Sequence, residues 1–178
     1  MNNPARRRGF TLVEVMIGAA LSTFILAGVL STFLFLGRSG ANMQNYSDME
    51  TQARRGLEMF AEDVRQASAI TWDSETQCTL TVNSSSVVYA YNSGAATFTR
   101  NGTAIITGIT AGSFAFSAFN VTGTEMELDS AAERSTASTS TKQLQITLEA
   151  TRTNSTVVDA TNTVLSARFI LRNKIVTA

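Results

Sequence analysis

The fold of this chain is decided by residues 15–37, which read VMIGAALSTFILAGVLSTFLFLG and contain no charged side chain. A helix of these 23 residues, at a rise of ~1.5 Å per residue, spans about 35 Å and covers the hydrocarbon core of a bilayer. A cleaved secretory signal has a shorter apolar run of ~7–15 residues followed by an Ala-x-Ala-like site. This run ends instead in Gly37-Arg38-Ser39. It therefore predicts a membrane helix, not an ordinary signal peptide.

Basic residues flank the apolar run unequally. Arg6, Arg7 and Arg8 precede it, whereas only Arg38 follows it closely. Because Lys and Arg mark the cytoplasmic side of a membrane segment, the first nine residues are predicted to be cytoplasmic. The rest of the chain then lies on the far side of the membrane. The prediction is a single-pass protein with an extracytoplasmic C-terminus.

Glu14 is the unusual residue at the start of this helix. A carboxylate at the edge of a membrane helix costs free energy unless something compensates it. One interpretation is that Glu14 has a partner that pairs with it. The other is that the carboxylate reaches back to the lipid headgroups and is an accident of the anchor's edge. The residues alone leave both interpretations open.

Residues 7–14, which read RRGFTLVE, resemble the processing signature of type IV pilin-like precursors. These include pilins, minor pilins and type II secretion pseudopilins. The shared features are a short basic leader ending in Gly, an aromatic residue after it, Glu at the fifth position from that aromatic, and an uninterrupted apolar helix. The resemblance is specific over residues 6–40 and weakens beyond them.

The resemblance implies a processing site and an assembly residue. A prepilin peptidase would cut between Gly9 and Phe10 on the cytoplasmic side, and the new amino group of Phe10 would be methylated. The leader residues Arg6, Arg7 and Arg8 would be lost with the cut. Glu14 would then meet the Phe10 ammonium of a neighbouring subunit and fix the register of subunits entering a filament.

The same resemblance implies partners and a location. The implied partners are other pilin or pseudopilin subunits, a prepilin peptidase/methyltransferase and an inner-membrane assembly platform. The implied location is the bacterial inner membrane, followed by a periplasmic or cell-surface filament. The domain prediction is a leader over residues 1–9, a membrane and filament-core helix over 10–37, and an extracytoplasmic head over 38–178 that includes a helix to about residue 68.

The apolar helix contains small residues four positions apart, which let neighbouring helices approach closely. The pairs are Gly18 with Ser22, Ala27 with Ser31, and Gly28 with Thr32. A single-pass anchor has similar residues, so this pattern is weakly specific. Many major pilins have a helix-breaking proline at the position of Ser31, but the only proline here is Pro4. A kink is therefore not predicted from proline, although Gly28 and Gly37 loosen the helix to a lesser degree.

Beyond the membrane segment a second helical pattern leads into the head. Apolar residues recur at spacings of three and four, and the opposite face is charged. The apolar stripe is Tyr46, Met49, Ala53, Leu57, Phe60, Val64 and Ala67. The stripe predicts a helix with one face on a core, in preference to a partner groove or a coiled coil. Residues 63–67, which read DVRQA, also resemble the helix end of larger minor pilins and J-type pseudopilins.

From about residue 78 the apolar period changes to two, which is typical of strands. Strands are predicted over residues 78–82, 86–91, 97–100, 103–106, 113–119, 143–151 and 164–172, with a bulge or strand end at Phe119. Asn101-Gly102 predicts a hairpin turn, because both residues tolerate positive φ. Residues 130–141 are almost all Ser, Thr and Ala, and a loop is predicted there. The fold class is therefore α+β, with a long N-terminal helix on a mainly antiparallel sheet.

Candidate catalytic and metal sites are few. The chain has no His, and its one Cys is Cys78, so a His base, a His/Cys zinc site and an intramolecular disulfide are excluded. Acidic residues cluster at Glu125, Glu127, Asp129 and Glu133 without EF-hand spacing, and no metal or cofactor is assigned. Arg168, Arg172 and Lys174 are predicted to share a solvated strand face. This face gives little support for nucleic acid as a partner.

Three function classes are considered: a structural filament subunit, a surface-exposed binding module and a membrane-tethered enzyme. The structural subunit is preferred. The chain is predicted to be a subunit of a type IV pilus-like filament, as a minor pilin or pseudopilin in the tip or priming complex. The alternatives are a membrane-anchored surface binding module for DNA uptake or adhesion, and a major filament subunit. An enzyme is not predicted, because the sequence offers no nucleophile and base constellation. The sequence does not distinguish between pilus, secretion and competence systems.

Overall fold

A computed structural model describes residues 9–152 and 161–176 of the chain. Helix α1 covers Leu12–Gln66, and strands and one short helix follow it. The chain divides into two compact units, Met1–Asn42 and Met43–Ala178, and the division falls inside α1. The α+β class with a long N-terminal helix and antiparallel sheets is confirmed. The predicted domain limits, including the leader, stay a prediction.

The described part of the first unit is an apolar helix whose side chains are almost all exposed. Exposed residues include Phe24, which is 80% exposed, and Phe35, which is 71% exposed. Residues 28–37, where Gly28 and Gly37 could have loosened the helix, are helical throughout. The hydroxyl of Thr32 donates to the Gly28 carbonyl at 3.0 Å, and that of Thr23 donates to the Ala19 and Ala20 carbonyls. The polar groups of these residues are thus satisfied within the helix, as an apolar environment requires.

In the second unit the helical part Met43–Gln66 places its apolar stripe on the core, as predicted. Met49, Ala53, Phe60 and Val64 are buried, and Leu57 is partly buried. Tyr46 is 44% exposed, so its assignment to the stripe is wrong, and the buried face begins at Met49. The opposite face is charged, as predicted, and Arg54 donates to Glu50 there at 2.9 Å.

The first sheet is an antiparallel meander of five strands in chain order. These are β1 (Ala69–Ser74), β2 (Gln77–Val82), β3 (Ser85–Asn92), β4 (Thr97–Arg100) and β5 (Thr103–Thr107). The predicted turn at Asn101-Gly102 joins β4 to β5, with φ of 48° and 77° at the two residues. Helix α1 approaches β5 closely at Gly56, where a Cβ would lie 2.6 Å from Ile106 Cγ1. A larger residue at position 56 would require the Ile106 side chain or the helix to shift.

The second sheet has four strands in the order β7-β6-β8-β9. They are β6 (Ala115–Phe119), β7 (Glu125–Met126), β8 (Gln143–Arg152) and β9 (Thr161–Ile170). The predicted strand end at Phe119 is confirmed. Its buried ring lies under the Arg168 guanidinium, 3.6 Å from the ring centroid. Cys78 is fully buried in the core, and burial raises the pKa of its thiol.

The loop predicted over residues 130–141 is wrong, because helix α2 occupies Ala131–Ser140. Ser130 and Glu133 form a capping box in which each side chain accepts a hydrogen bond from the other's backbone N–H. The short helix is also held by tertiary contacts. Ser138 Oγ accepts from the Trp72 N–H at 2.9 Å, and the Trp72 indole donates to Thr141 Oγ1 at 3.1 Å. Capping and packing thus outweigh the low helix propensity of Ser and Thr.

The predicted basic face of Arg168, Arg172 and Lys174 is also wrong in part, because β9 ends at Ile170 and Lys174 is buried. The Lys174 ammonium donates to the Ser138 carbonyl at 2.6 Å, near the C-terminus of α2. Lys142 donates in turn to the Lys174 carbonyl. Burial, followed by the charge of Lys142, lowers the pKa of Lys174 to about 8. Lys174 therefore supports the end of α2 and does not contribute to a basic surface.

Candidate functional site at the start of the long helix

The bond between Gly9 and Phe10 lies in non-helical chain immediately before the helix. Helix α1 begins at Leu12, and residues 9–11 have no regular structure. Phe10 is 88% exposed, and a Cβ added to Gly9 would meet no atom within 4 Å. The leader residues Arg6, Arg7 and Arg8 lie outside the described residues. No described residue covers the predicted cleavage bond. The roles of Gly9 and Phe10 stay predictions.

Glu14 is bonded to its own helix start. Its Oε2 atom accepts from the Thr11 backbone N–H at 2.8 Å and from the Thr11 hydroxyl at 2.9 Å. The Glu14 N–H donates to Thr11 Oγ1 at 3.2 Å. These bonds form a capping box, with Thr11 at the N-cap and Glu14 three residues later. Sequence reasoning missed this role, although the Thr-x-x-Glu spacing before an apolar run is its known signal.

The capping box changes how Glu14 is interpreted before cleavage. The carboxylate is neither unpaired nor directed only at headgroups, because its own chain supplies two donors. Both donors meet Oε2, and a carboxylate has further acceptor capacity on its second oxygen. Glu14 can therefore cap the helix and still accept a hydrogen bond from an external ammonium. The assembly role of Glu14 stays a prediction, and capping of its own helix is the alternative role.

The acidic cluster does not form a metal site in the described part of the chain. No group of three or more His, Cys, Asp or Glu side chains is close enough there to hold a metal ion. Glu133, one of its members, caps α2, and the Ser130 N–H that it accepts lowers its pKa. Nothing in this cluster points to catalysis.

A buried polar cluster that sequence reasoning missed connects α1 to the first sheet. Asp63 Oδ2 accepts from the Tyr89 hydroxyl at 2.6 Å and from Arg100 Nε at 2.7 Å. Burial and the Asp63 carboxylate raise the pKa of the Tyr89 hydroxyl, and the hydrogen bond to Asp63 raises the pKa of Arg100. The three residues come from α1, β3 and β4 and are far apart in sequence. The cluster is an anchor for the end of helix α1.

Two comparisons with known proteins found similarities to this chain. Residues 4–30 match the family described as the prokaryotic N-terminal methylation motif. The chain is also 31% identical over 71 residues to the pilin-like protein PilA3 of Thermus thermophilus. That match covers 40% of this chain and 30% of the relative. The motif match includes Gly9, Phe10 and Glu14.

Proposed function

We propose that this chain, a type IV pilin-like protein, is a structural subunit of a type IV pilus-like filament and is held in a membrane before assembly. The observation that carries the proposal is the methylation motif at the start of an apolar helix. Helix α1 is long and apolar enough, by length and composition, to cross a membrane. Its side chains in the first unit are exposed, so bilayer or neighbouring helices would cover them.

Processing and topology follow from the same motif. A prepilin peptidase/methyltransferase would cut after Gly9 and methylate Phe10 on the cytoplasmic face of the inner membrane. An assembly platform in that membrane would then transfer the subunit into the filament. The head, residues 38–178, would be extracytoplasmic throughout. The first unit would supply the filament core, where small residues such as Gly18 and Gly28 let helices approach closely.

Within the family, we assign the chain to the minor subunits of the tip or priming complex. No proline follows Pro4, and residues 28–37 are helical without a break. Asp63, in the segment that resembles larger minor subunits, anchors the helix end to β3 and β4. The chain also has no pair of cysteines near its C-terminus of the kind found in many major pilins. These features support a minor pilin or pseudopilin.

Quantitative proteomics of sheared filaments tests the assignment to a minor subunit. We expect this chain in the filament fraction as a small minority beside the main subunit. Its N-terminal peptide should begin at a methylated Phe10. A preparation in which this chain is the main component would make it a major subunit. Its absence from filaments, with the chain retained on the cell surface, would favour the anchored binding module.

Replacing Glu14 with alanine should strongly reduce filament incorporation without unfolding the head. The substitution removes the acceptor for a neighbour's Phe10 ammonium, and loss of a pair worth ~1.4 kcal/mol or more corresponds to about a tenfold decrease. Glu14 and the buried residues that begin at Met49 belong to different compact units of the chain, so head stability should not change. Incorporation is measured in sheared filaments, and cleavage is measured by mass spectrometry.

The matched control for this prediction is Thr11→Val, which removes the hydroxyl of the capping box and keeps the carboxylate. This variant should be incorporated nearly as well as the wild type. Equal losses in both variants would mean that Glu14 acts only by capping its own helix. Normal incorporation of Glu14→Ala would refute the assembly role.

A further inference from the structure

Strand β9 is an open edge of the second sheet. It pairs with β8 in ten consecutive residue pairs without a register shift, and no described strand lies on its other side. Natural sheets protect such edges with proline, bulges or charges directed at the edge. Residues 161–170 contain no proline, and their one charged residue, Arg168, is held over Phe119 and Gln145. The edge is therefore available for pairing with another strand.

An apolar groove runs beside this edge, between β9 and the Met43–Gln66 part of α1. It has a volume of about 650 Å³, and its floor is formed by Leu57, Ala61, Leu165, Ala167 and Phe169. The β9 edge can pair with the backbone of an added strand, and the floor can contact its side chains. A strand added to β9 would lie ~4.8 Å from it and would direct every second side chain onto the floor. The groove thus has the features of a site for one more strand.

The helix side of the groove carries an excess of negative charge. Glu50, Glu58 and Glu62 line it together with Arg54 and Arg65. Glu50 is paired with Arg54, and Glu62 accepts a hydrogen bond from Gln66. Glu58 has no hydrogen bond or ion pair within the part of the chain that the structure describes. A basic side chain on the incoming strand would complement Glu58.

We propose that this groove accepts a β-strand from a different pilin-like subunit, with alternating apolar residues toward the floor and a basic residue facing Glu58. This inference rests on the proposed function as a filament subunit. The added strand extends the second sheet to five strands. Main-chain hydrogen bonds to β9 provide binding energy, and the apolar floor with Glu58 provides specificity.

A second copy of the chain is a less suitable occupant of this site than a strand of a different subunit. Of the other edge strands that the structure describes, β7 has two residues, β1 donates its Trp72 N–H to Ser138 of α2, and β5 lies against α1 at Gly56. Among its described strands, the second copy could therefore offer only its own β9. Antiparallel pairing of two β9 strands points the two Met43–Gln66 segments in opposite directions, whereas subunits drawn from one membrane share one polarity. Parallel pairing turns the second apolar face away from the groove.

Photo-crosslinking in the full-length chain tests which molecule occupies the groove. A benzophenone amino acid is placed at Arg65, which lines the groove, and at Asp48 as a control on the same helix outside it. We expect position 65 alone to give a product with another pilin-like subunit, and the crosslinked residue should lie in a strand of that subunit. A product with a second copy, with the same chain or with lipid overturns the proposal, as does the absence of any product.

Charge reversal tests the role of Glu58. Glu58→Lys should reduce the crosslink from position 65 by about tenfold, because like charges would face each other across the groove. Asp48→Lys, with the same charge change outside the groove, should leave it unchanged. An unchanged crosslink in Glu58→Lys overturns the proposal. The proposed function and the groove proposal can be tested separately. A wild-type chain that is cleaved and incorporated into filaments but gives no crosslink refutes only the groove proposal.

Discussion

Replacing Gly9 with valine should abolish maturation, so that the full-length precursor accumulates in the membrane. A peptidase that cuts after Gly9 must approach a backbone without a side chain, and a branched residue occupies that space. Misplacement of the reacting bond by ~1 Å is enough to lower cleavage by about 100-fold. Mass spectrometry of the purified chain measures the result. The wild type should begin at Phe10, and the variant should retain residues 1–9.

The structure assigns this expected loss to recognition and not to misfolding. A Cβ at Gly9 meets no atom within 4 Å, and the residue precedes the first helical residue, Leu12. Gly40→Val is the matched control, since Gly40 is also open but lies far from the cut. That variant should begin at Phe10 like the wild type. Normal cleavage of Gly9→Val, or a wild-type chain that begins at Met1 or near residue 40, would refute the predicted processing site.

Local signals were sufficient to predict much of this fold. The charge-free run predicts the first part of α1 because its composition alone suits a bilayer, and the stripe from Met49 to Val64 predicts its buried face from a 3.6-residue period. The Asn101-Gly102 turn follows from the need for positive φ at both residues. Each of these inferences depends on residues close together in sequence.

Features that depend on distant residues were not predictable in this way. Asp63 meets partners 26 and 37 residues away, so no local pattern indicates their cluster. Lys174 is buried because it reaches Ser138, 36 residues earlier. The division of the strands into two sheets depends on the pairing of β6 with β8 across α2. The two missed capping boxes are different, because Thr11-x-x-Glu14 and Ser130-x-x-Glu133 have a recognisable local spacing.

Phe60 holds the two sheets and the helix together in the head. Its side chain is fully buried, and its ring centroid lies 4.8 Å from that of Tyr89 and 5.7 Å from that of Phe98, both in the first sheet. In the second sheet it lies 5.6 Å from Phe169 and 6.0 Å from Phe116. Three of these four contacts are edge-to-face, the arrangement that aromatic rings favour. Truncation at this position therefore affects all three layers at once.

Phe60→Ala should destabilise the head by about 3–5 kcal/mol, because it removes a buried ring and leaves a cavity between the helix and the two sheets. Because domains of this size are stable by only ~5–15 kcal/mol, the change removes a large part of the total. Trp72, the single tryptophan and 4% exposed, reports unfolding by fluorescence of the full-length chain in detergent with added urea. The neighbouring Met59 is 42% exposed, so Met59→Ala should cost less than about 1 kcal/mol. Equal urea midpoints of unfolding for Phe60→Ala and Met59→Ala would show that Phe60 does not link the helix to the sheets.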